Sequence, residues 1–351
     1  MIFASDNWSG ASPKVVEAVA EAAKRGGPAY GTDPLTKVVE GRFSELFERE
    51  VAVFPVGTGT IANSLALSHF ARPGAVVLAH REAHILVDEP GSTEFFGAGM
   101  RPVGLDGVNG KLTPAGLVAG FERFPAGNTF HGNPVVVTLT QMTELGTVYH
   151  PEEVAALAGI AHERGAAVHM DGARFSSAVA GLGVAPADIT WRAGVDVMSF
   201  GGTKNGCLAA EAVVFFDPAR AAGFAVARQR AGQTFSKGWF LAAQYDAYLG
   251  GGHWLELAGH ARDMGRDLAA VIDASRVARL AVRPAANELF AFVRSDALER
   301  VRAAGAVLHP WNTVSLPADA VPAEGEQLVR LVTSFATTAD EVAHFAEVLE
   351  G

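Results

Sequence analysis

The chain has 351 residues, 49% of them apolar and 19% charged, a balance that suits a packed globule and excludes disorder. Its 28 basic residues against 38 acidic ones give a net charge of −10, and no Lys/Arg run is long enough to track a phosphate backbone, so no nucleic-acid partner is expected. A single cysteine, Cys207, excludes an intrachain disulfide framework, and no apolar run approaches the ~18 residues that cross a bilayer, so a soluble cytoplasmic protein with no membrane partner is expected.

The N-terminal "MIFASDNWSG" lacks the basic flank and apolar stretch of a signal peptide. Ser12 and Pro13 predict an N-cap and first helical position, and Gly26 and Gly27 predict the end of that helix. Asp33 and Pro34 repeat the pattern after the loop "AYGTDP", with Leu35, Val38, Val39, Leu46 and Phe47 as the apolar stripe. From residue 51 the runs "VAVFPV", "AVVLA", "PVVVTLT", "AAVHM", "VDVMSF" and "AVVFF" alternate with helical patterns, which predicts βα units around a mainly parallel sheet. Pro55 weakens the first of these strands. Beyond about residue 236, long helical patterns interrupted at Gly250–Gly252 give way to "RLAVRP", "ELFAFV" and "QLVRLVTS" and a last helix from Thr338. The fold class is α/β, with a large domain over 13–240 and a smaller α+β domain over 241–351 that includes residues 1–12.

Ligands of open parallel sheets sit at the carboxyl ends of the strands, so the residues just after each run carry the candidate chemistry. "GTGTIAN" follows a strand and opens a helix; Gly57, Gly59 and Ala62 satisfy a loose dinucleotide fingerprint with Glu82 as the ribose acid, but the same loop suits any phosphate. In "VHMDGARF", Asp171 ends an apolar strand and must be paired, either locally with Arg174 or with a cationic ligand group. In "VDVMSFGGTKNG", Lys204 follows a buried strand, and the preceding glycines suggest close approach to a bulky ligand. A phosphate cradle, a strand-end acid and a strand-end amine are the three fixed parts that hold pyridoxal 5'-phosphate.

The ordered segments "FASDN", "AYGTDP", "GTGTIANSLAL", "EAH", "LTQMTELGTVY", "VHMDGARF", "SFGGTKNG" and "LVRLVTS" resemble the low-specificity L-threonine aldolases, pyridoxal phosphate enzymes of the aspartate-aminotransferase-like fold. The resemblance implies a mostly parallel seven-stranded sheet between helices, and retro-aldol cleavage of L-β-hydroxy-α-amino acids to glycine and an aldehyde. It gives Lys204 the covalent bond to the cofactor, Asp171 the ring nitrogen, Arg174 a place beside the ring oxygen, and Gly59 and Thr60 the phosphate. His84 would stack on the ring and, as a neutral imidazole near its usual pKa, take the hydroxyl proton, with Glu144 as substitute. Ser5 and Arg330 would grip the substrate carboxylate. Arg230 and Lys237 resemble positions that reach a neighbouring subunit's phosphate, which implies a homodimer or homotetramer with shared active sites. Many relatives carry a histidine where this chain reads Met142-Thr143-Glu144, and Thr143 is assigned there to the substrate site.

Two further histidines stay outside these roles: His80, expected one helical turn before His84, and His169, expected as a satisfied core residue. No catalytic metal is expected. A β-eliminating lyase or aminotransferase of the same fold remains the nearest alternative. From other classes come a nicotinamide oxidoreductase, which gives Lys204 no use, and a binding protein in which Lys204 is inert.

Overall fold

The computed structural model of the chain describes residues 1–125 and 127–351. The first sheet contains β1 (Ala52–Val56), β2 (Ala75–His80), β3 (Arg101–Leu105), β4 (Asn133–Thr140), β5 (Ala167–Gly172), β6 (Val197–Gly201) and β7 (Glu211–Phe215). Their order is β1-β7-β6-β5-β4-β2-β3, and β7 alone runs against the rest. Strands β2, β5, β6 and β7 are buried along their whole length, which is why they read as largely apolar runs, with their polar residues few and mostly near the ends. The edges read differently. Pro55 is accommodated because β1 pairs on one side only, with β7. β3, "RPVGL", is partly exposed and carries Pro102 and Gly104, so it lacks the apolar signature and is absent from the predicted strands.

Ser12 caps the Pro13–Arg25 helix and Asp33 caps the Pro34–Leu46 helix, each with a proline in the first turn. In the second helix the core face is Thr36, Val39 and Phe43, continued by Phe47 at the C-cap. Val38 lies off that face and is 48% exposed, which corrects the predicted stripe. Phe43 meets Phe200 of β6 edge-on at 5.1 Å, and Phe47 meets Phe216 at 5.0 Å, so aromatic packing fixes these helices to the sheet.

A second, antiparallel sheet is ordered β10-β11-β9-β8, from β8 (Ala278–Val282), β9 (Glu288–Arg294), β10 (His309–Pro310) and β11 (Glu326–Val332). Its core includes Phe3, whose backbone N–H donates to Val307 O and whose carbonyl accepts from Val332 N–H, each at 2.9 Å. That docking delivers Ser5 and Asp6 toward the first sheet. The His253–Ala274 helix packs on the Phe175–Leu182 helix and on β8 and β9, and so ties the two sheets together. No helix among the described residues is long and apolar enough to cross a membrane.

Candidate active site

A cavity of about 460 Å³ opens at the carboxyl ends of β4, β5 and β6. Its lining includes Lys204, Asp171, His84, Glu144, Gly59 and Thr60. Ser5, Arg174 and Arg330 line it too.

The glycines of "SFGGTKNG" do not face a ligand. A Cβ on Gly201 would lie 2.5 Å from Ala173 O, and one on Gly202 would lie 2.8 Å from Ala210 O. The loops after β5 and before β7 therefore press directly on β6, and this backbone contact replaces the expected approach to something bulky. Lys204 occupies the short turn Thr203–Asn205. Asn205 anchors the turn by donating from Nδ2 to Tyr248 Oη and Trp254 O, both at 2.8 Å, while Thr203 N–H donates to Glu211 Oε1 at 3.3 Å. Among the described residues no hydrogen bond or ion pair holds the Lys204 amine, which faces the cavity. Burial raises Glu211 to about 7, against the Thr203 hydrogen bond and the Lys204 charge.

Asp171 does not pair with Arg174. Its Oδ2 accepts from Asn63 Nδ2 at 2.8 Å and its Oδ1 from Ala173 N–H at 3.1 Å, so this buried carboxylate has only neutral donors. Asn63 Nδ2 also donates to Glu89 Oε1 at 2.8 Å, and the same oxygen lies 2.8 Å from His84 Nδ1. The hydrogen bond with Glu89 raises His84 against burial, with Asp171 and Glu144 adding to the rise, so the imidazole does not sit at its ordinary value. Glu89 is itself raised by burial, with His84 opposing and Asp171 adding. Glu144 accepts from the His84 backbone N–H at 3.2 Å, and burial lifts it to about 7.

The fourth side of the cavity is an ionic cluster. Arg174 donates from Nε and Nη2 to the two oxygens of Asp6, at 2.8 and 3.0 Å. Burial pushes the Asp6 carboxyl up, but the charges of Arg174 and Lys204 and the donors of Arg174 and Asn287 hold it below the usual carboxylate range. Glu288 lies 3.7 Å from Arg174 Nη2 and 3.6 Å from Arg330 Nη1. Arg330, on β11, stacks over Trp311 at 4.3 Å and donates to Ala4 O at 3.2 Å.

The Gly59–Ser68 helix supplies the anion end. Thr58 caps Ile61 N–H, which leaves the N–H groups of Gly59 and Thr60 without partners among the described residues, and a Cβ on Gly59 would meet nothing within 4 Å. Free amides at a helix N-terminus facing open space fit a phosphate; an unpaired carboxylate fits a protonated ring nitrogen; an unheld amine fits an aldehyde. The donor set thus fits pyridoxal phosphate.

Three predicted site residues lie elsewhere. The Thr143 hydroxyl contacts Thr147 Oγ1 at 2.8 Å and Asn109 O at 3.3 Å inside a tight loop, so it is turned from the cavity. Arg230 and Lys237 are exposed and outside the cavity of this chain. Glu82 accepts from Val314 N–H and Ser315 Oγ, which ties down the loop between β10 and β11 and removes the acid required for a dinucleotide ribose. His80 ends β2 instead of preceding His84 on a helix, and accepts from Glu82 N–H. His169 contacts Ser199 Oγ at 3.1 Å but leaves Nδ1 unpartnered, and burial lowers it to about 4, so it is neutral core only half satisfied. Asp6, Asn63, Glu89, Glu211, Glu288 and Trp311 line or brace the site and are not among the predicted residues. Asp6 and Asn63 lie within quoted segments, where a polar residue inside "TIANSLAL" was the available signal.

The beta-eliminating lyase family matches residues 3–296. The low specificity L-threonine aldolase of Pseudomonas aeruginosa is 41% identical over 86% of this chain and 87% of its own length. That of a further Pseudomonas strain is 40% identical over the same shares. The solved threonine aldolase of Leishmania major superposes with a TM-score of 0.90 at 27% identity, covering 99% of this chain and 98% of its own.

Proposed function

The chain belongs to the beta-eliminating lyase family, among the low-specificity L-threonine aldolases, and we propose that it cleaves L-threonine, L-allo-threonine and related L-β-hydroxy-α-amino acids, phenylserine included, to glycine and an aldehyde. It is a carbon–carbon lyase that uses pyridoxal 5'-phosphate, bonded covalently to Lys204. The observation that carries this reading is one cavity shared by the Lys204 amine, an acid and two helix amides that, among the described residues, have respectively no partner, no cationic partner and no acceptor.

When bound, the cofactor supplies an electron sink for the pair released as the Cα–Cβ bond breaks. Asp171 would hold the protonated ring nitrogen, Gly59 and Thr60 would donate to the phosphate, and Arg174 would stand near the ring. Arg330 and Ser5 orient the α-carboxylate, for which a guanidinium fork is well shaped. His84, on the cavity wall, would face the ring and take the β-hydroxyl proton at Nε2: the O–H bond breaks, an N–H bond forms, and the oxygen's pair closes the aldehyde C=O. Such positioned proton transfer contributes about 10²- to 10⁴-fold. Glu144, raised to about 7, is the substitute base.

Arg230 and Lys237, exposed on this chain, reach the phosphate of a neighbouring subunit in a homodimer or homotetramer with shared sites. The segment between them packs on the phosphate loop, where Gln233 Oε1 accepts from Gly57 N–H at 3.0 Å. Unpaired Cys207 fits a cytoplasmic location.

Product analysis tests the reading. Glycine and acetaldehyde from L-threonine, and benzaldehyde from phenylserine, are expected; ammonia with a keto acid would instead identify an eliminating lyase.

A further inference from the structure

His84, Glu89, Asn63 and Asp171 form one chain of hydrogen bonds along the cavity wall, and Glu89 is the member without an assigned task. Its side chain is fully buried. Oε1 receives both His84 Nδ1 and Asn63 Nδ2, whereas Oε2 is buried with no partner. Asn63 faces two carboxylates, so its amide must turn the NH₂ group toward them, and its Oδ1 is left without a partner. An acceptor fixed in this way at Nδ1 keeps the proton on that nitrogen and leaves Nε2 as the free acceptor.

We propose that Glu89 is a positioning residue for aldol cleavage: it fixes the His84 tautomer so that Nε2 presents its lone pair to the substrate hydroxyl, and Asn63 holds Glu89 in place against Asp171. The inference rests on the reading of His84 as the base. As Nε2 takes the hydroxyl proton, the imidazole becomes a cation whose charge Glu89 balances, and the proton on Nδ1 stays in its hydrogen bond. The other ionisable groups facing His84 are Asp171 and Glu144, with Asp88 and Lys204 on the same cavity wall. The rise in His84 that Glu89 causes places the acid limb of kcat above the ordinary histidine value of about 6.5.

The test compares holoenzymes carrying Glu89→Gln, Glu89→Leu and His84→Asn with wild type. Glu89→Gln keeps an acceptor for both donors but removes the charge, so kcat for L-threonine should fall about tenfold and the acid limb should move to lower pH. Glu89→Leu removes the acceptor as well, and kcat should fall about 100-fold while KM and the visible cofactor band change little. Nuclear magnetic resonance of ¹⁵N-histidine-labelled holoenzyme supplies a readout independent of turnover: His84 Nε2 should be the unprotonated nitrogen in wild type and lose that fixed tautomer in Glu89→Leu. Glu89→Gln, matched in size, keeps the idea testable if the leucine variant does not fold. Wild-type kcat and pH profile in Glu89→Gln, or the wild-type tautomer in Glu89→Leu, alongside a slow His84→Asn, would overturn the role of Glu89 alone. Wild-type turnover by His84→Asn would overturn the base assignment and this inference with it.

Discussion

Two buried carboxylates, Asp171 on the cavity lining and Asp6 behind it on Arg174, are treated in opposite ways. Asp6 is clamped by both arms of Arg174, and the chain supplies its counter-charge in full. Among the described residues Asp171 receives only the amide of Asn63 and the backbone of Ala173, so no counter-charge from them neutralises it. A buried ion pair is weak evidence for net stability, but a buried charge without a partner is costly enough to require a use. The difference fits the proposed reading, in which Asp6 holds the N-terminal segment in place and Asp171 holds a ligand cation.

Substitutions at the two acids should therefore separate turnover from stability. Asp171→Ala should lower kcat by about 10³-fold while the folded state survives, since no guanidinium or ammonium is stranded by the change. Near-normal turnover in this variant would remove the assigned role. Asp6→Asn leaves Arg174 beside Glu288 alone, and should destabilise the protein by about 3–5 kcal/mol in denaturant titrations. The sign of the pH dependence follows from the same pair. Because the folded pKa of Asp6 is depressed, its contribution is present above the unfolded value of about 3.9 and disappears as pH falls through the lower folded value. Wild type should lose this increment in acid, and Asp6→Asn should show a flatter acid limb of stability. The smallest effect is expected at Thr143→Ser, which preserves the hydroxyl contacts with Thr147 and Asn109 and touches no part of the cavity; steady-state parameters should stay close to wild type.

The same contrast shows what was readable before the fold was known. Asp171 and Lys204 end strands, and a strand-end rule finds them because parallel sheets put their carboxyl ends on one side. Helix starts at Ser12 and Asp33 were legible because capping is local. The partner of Arg174 was not legible: the nearest acid in sequence is Asp171, whereas the actual one lies 168 positions away on a segment brought in by the small sheet. Glu89 was hidden for a related reason, since its link to Asp171 passes through Asn63 on the Gly59–Ser68 helix. The glycines before Lys204 were read as room for a ligand, but what presses on them is the chain's own backbone. β3 escaped because an edge strand need not be apolar throughout.

The central claim is that the amine at position 204 carries the cofactor above Asp171. Borohydride reduction of the holoenzyme, followed by proteolysis and mass spectrometry, tests it most directly. A single pyridoxyl-phosphate adduct on the peptide containing Lys204 is expected, with loss of the visible absorbance band. An adduct on any other lysine, or none after reduction of protein saturated with pyridoxal phosphate, would contradict it.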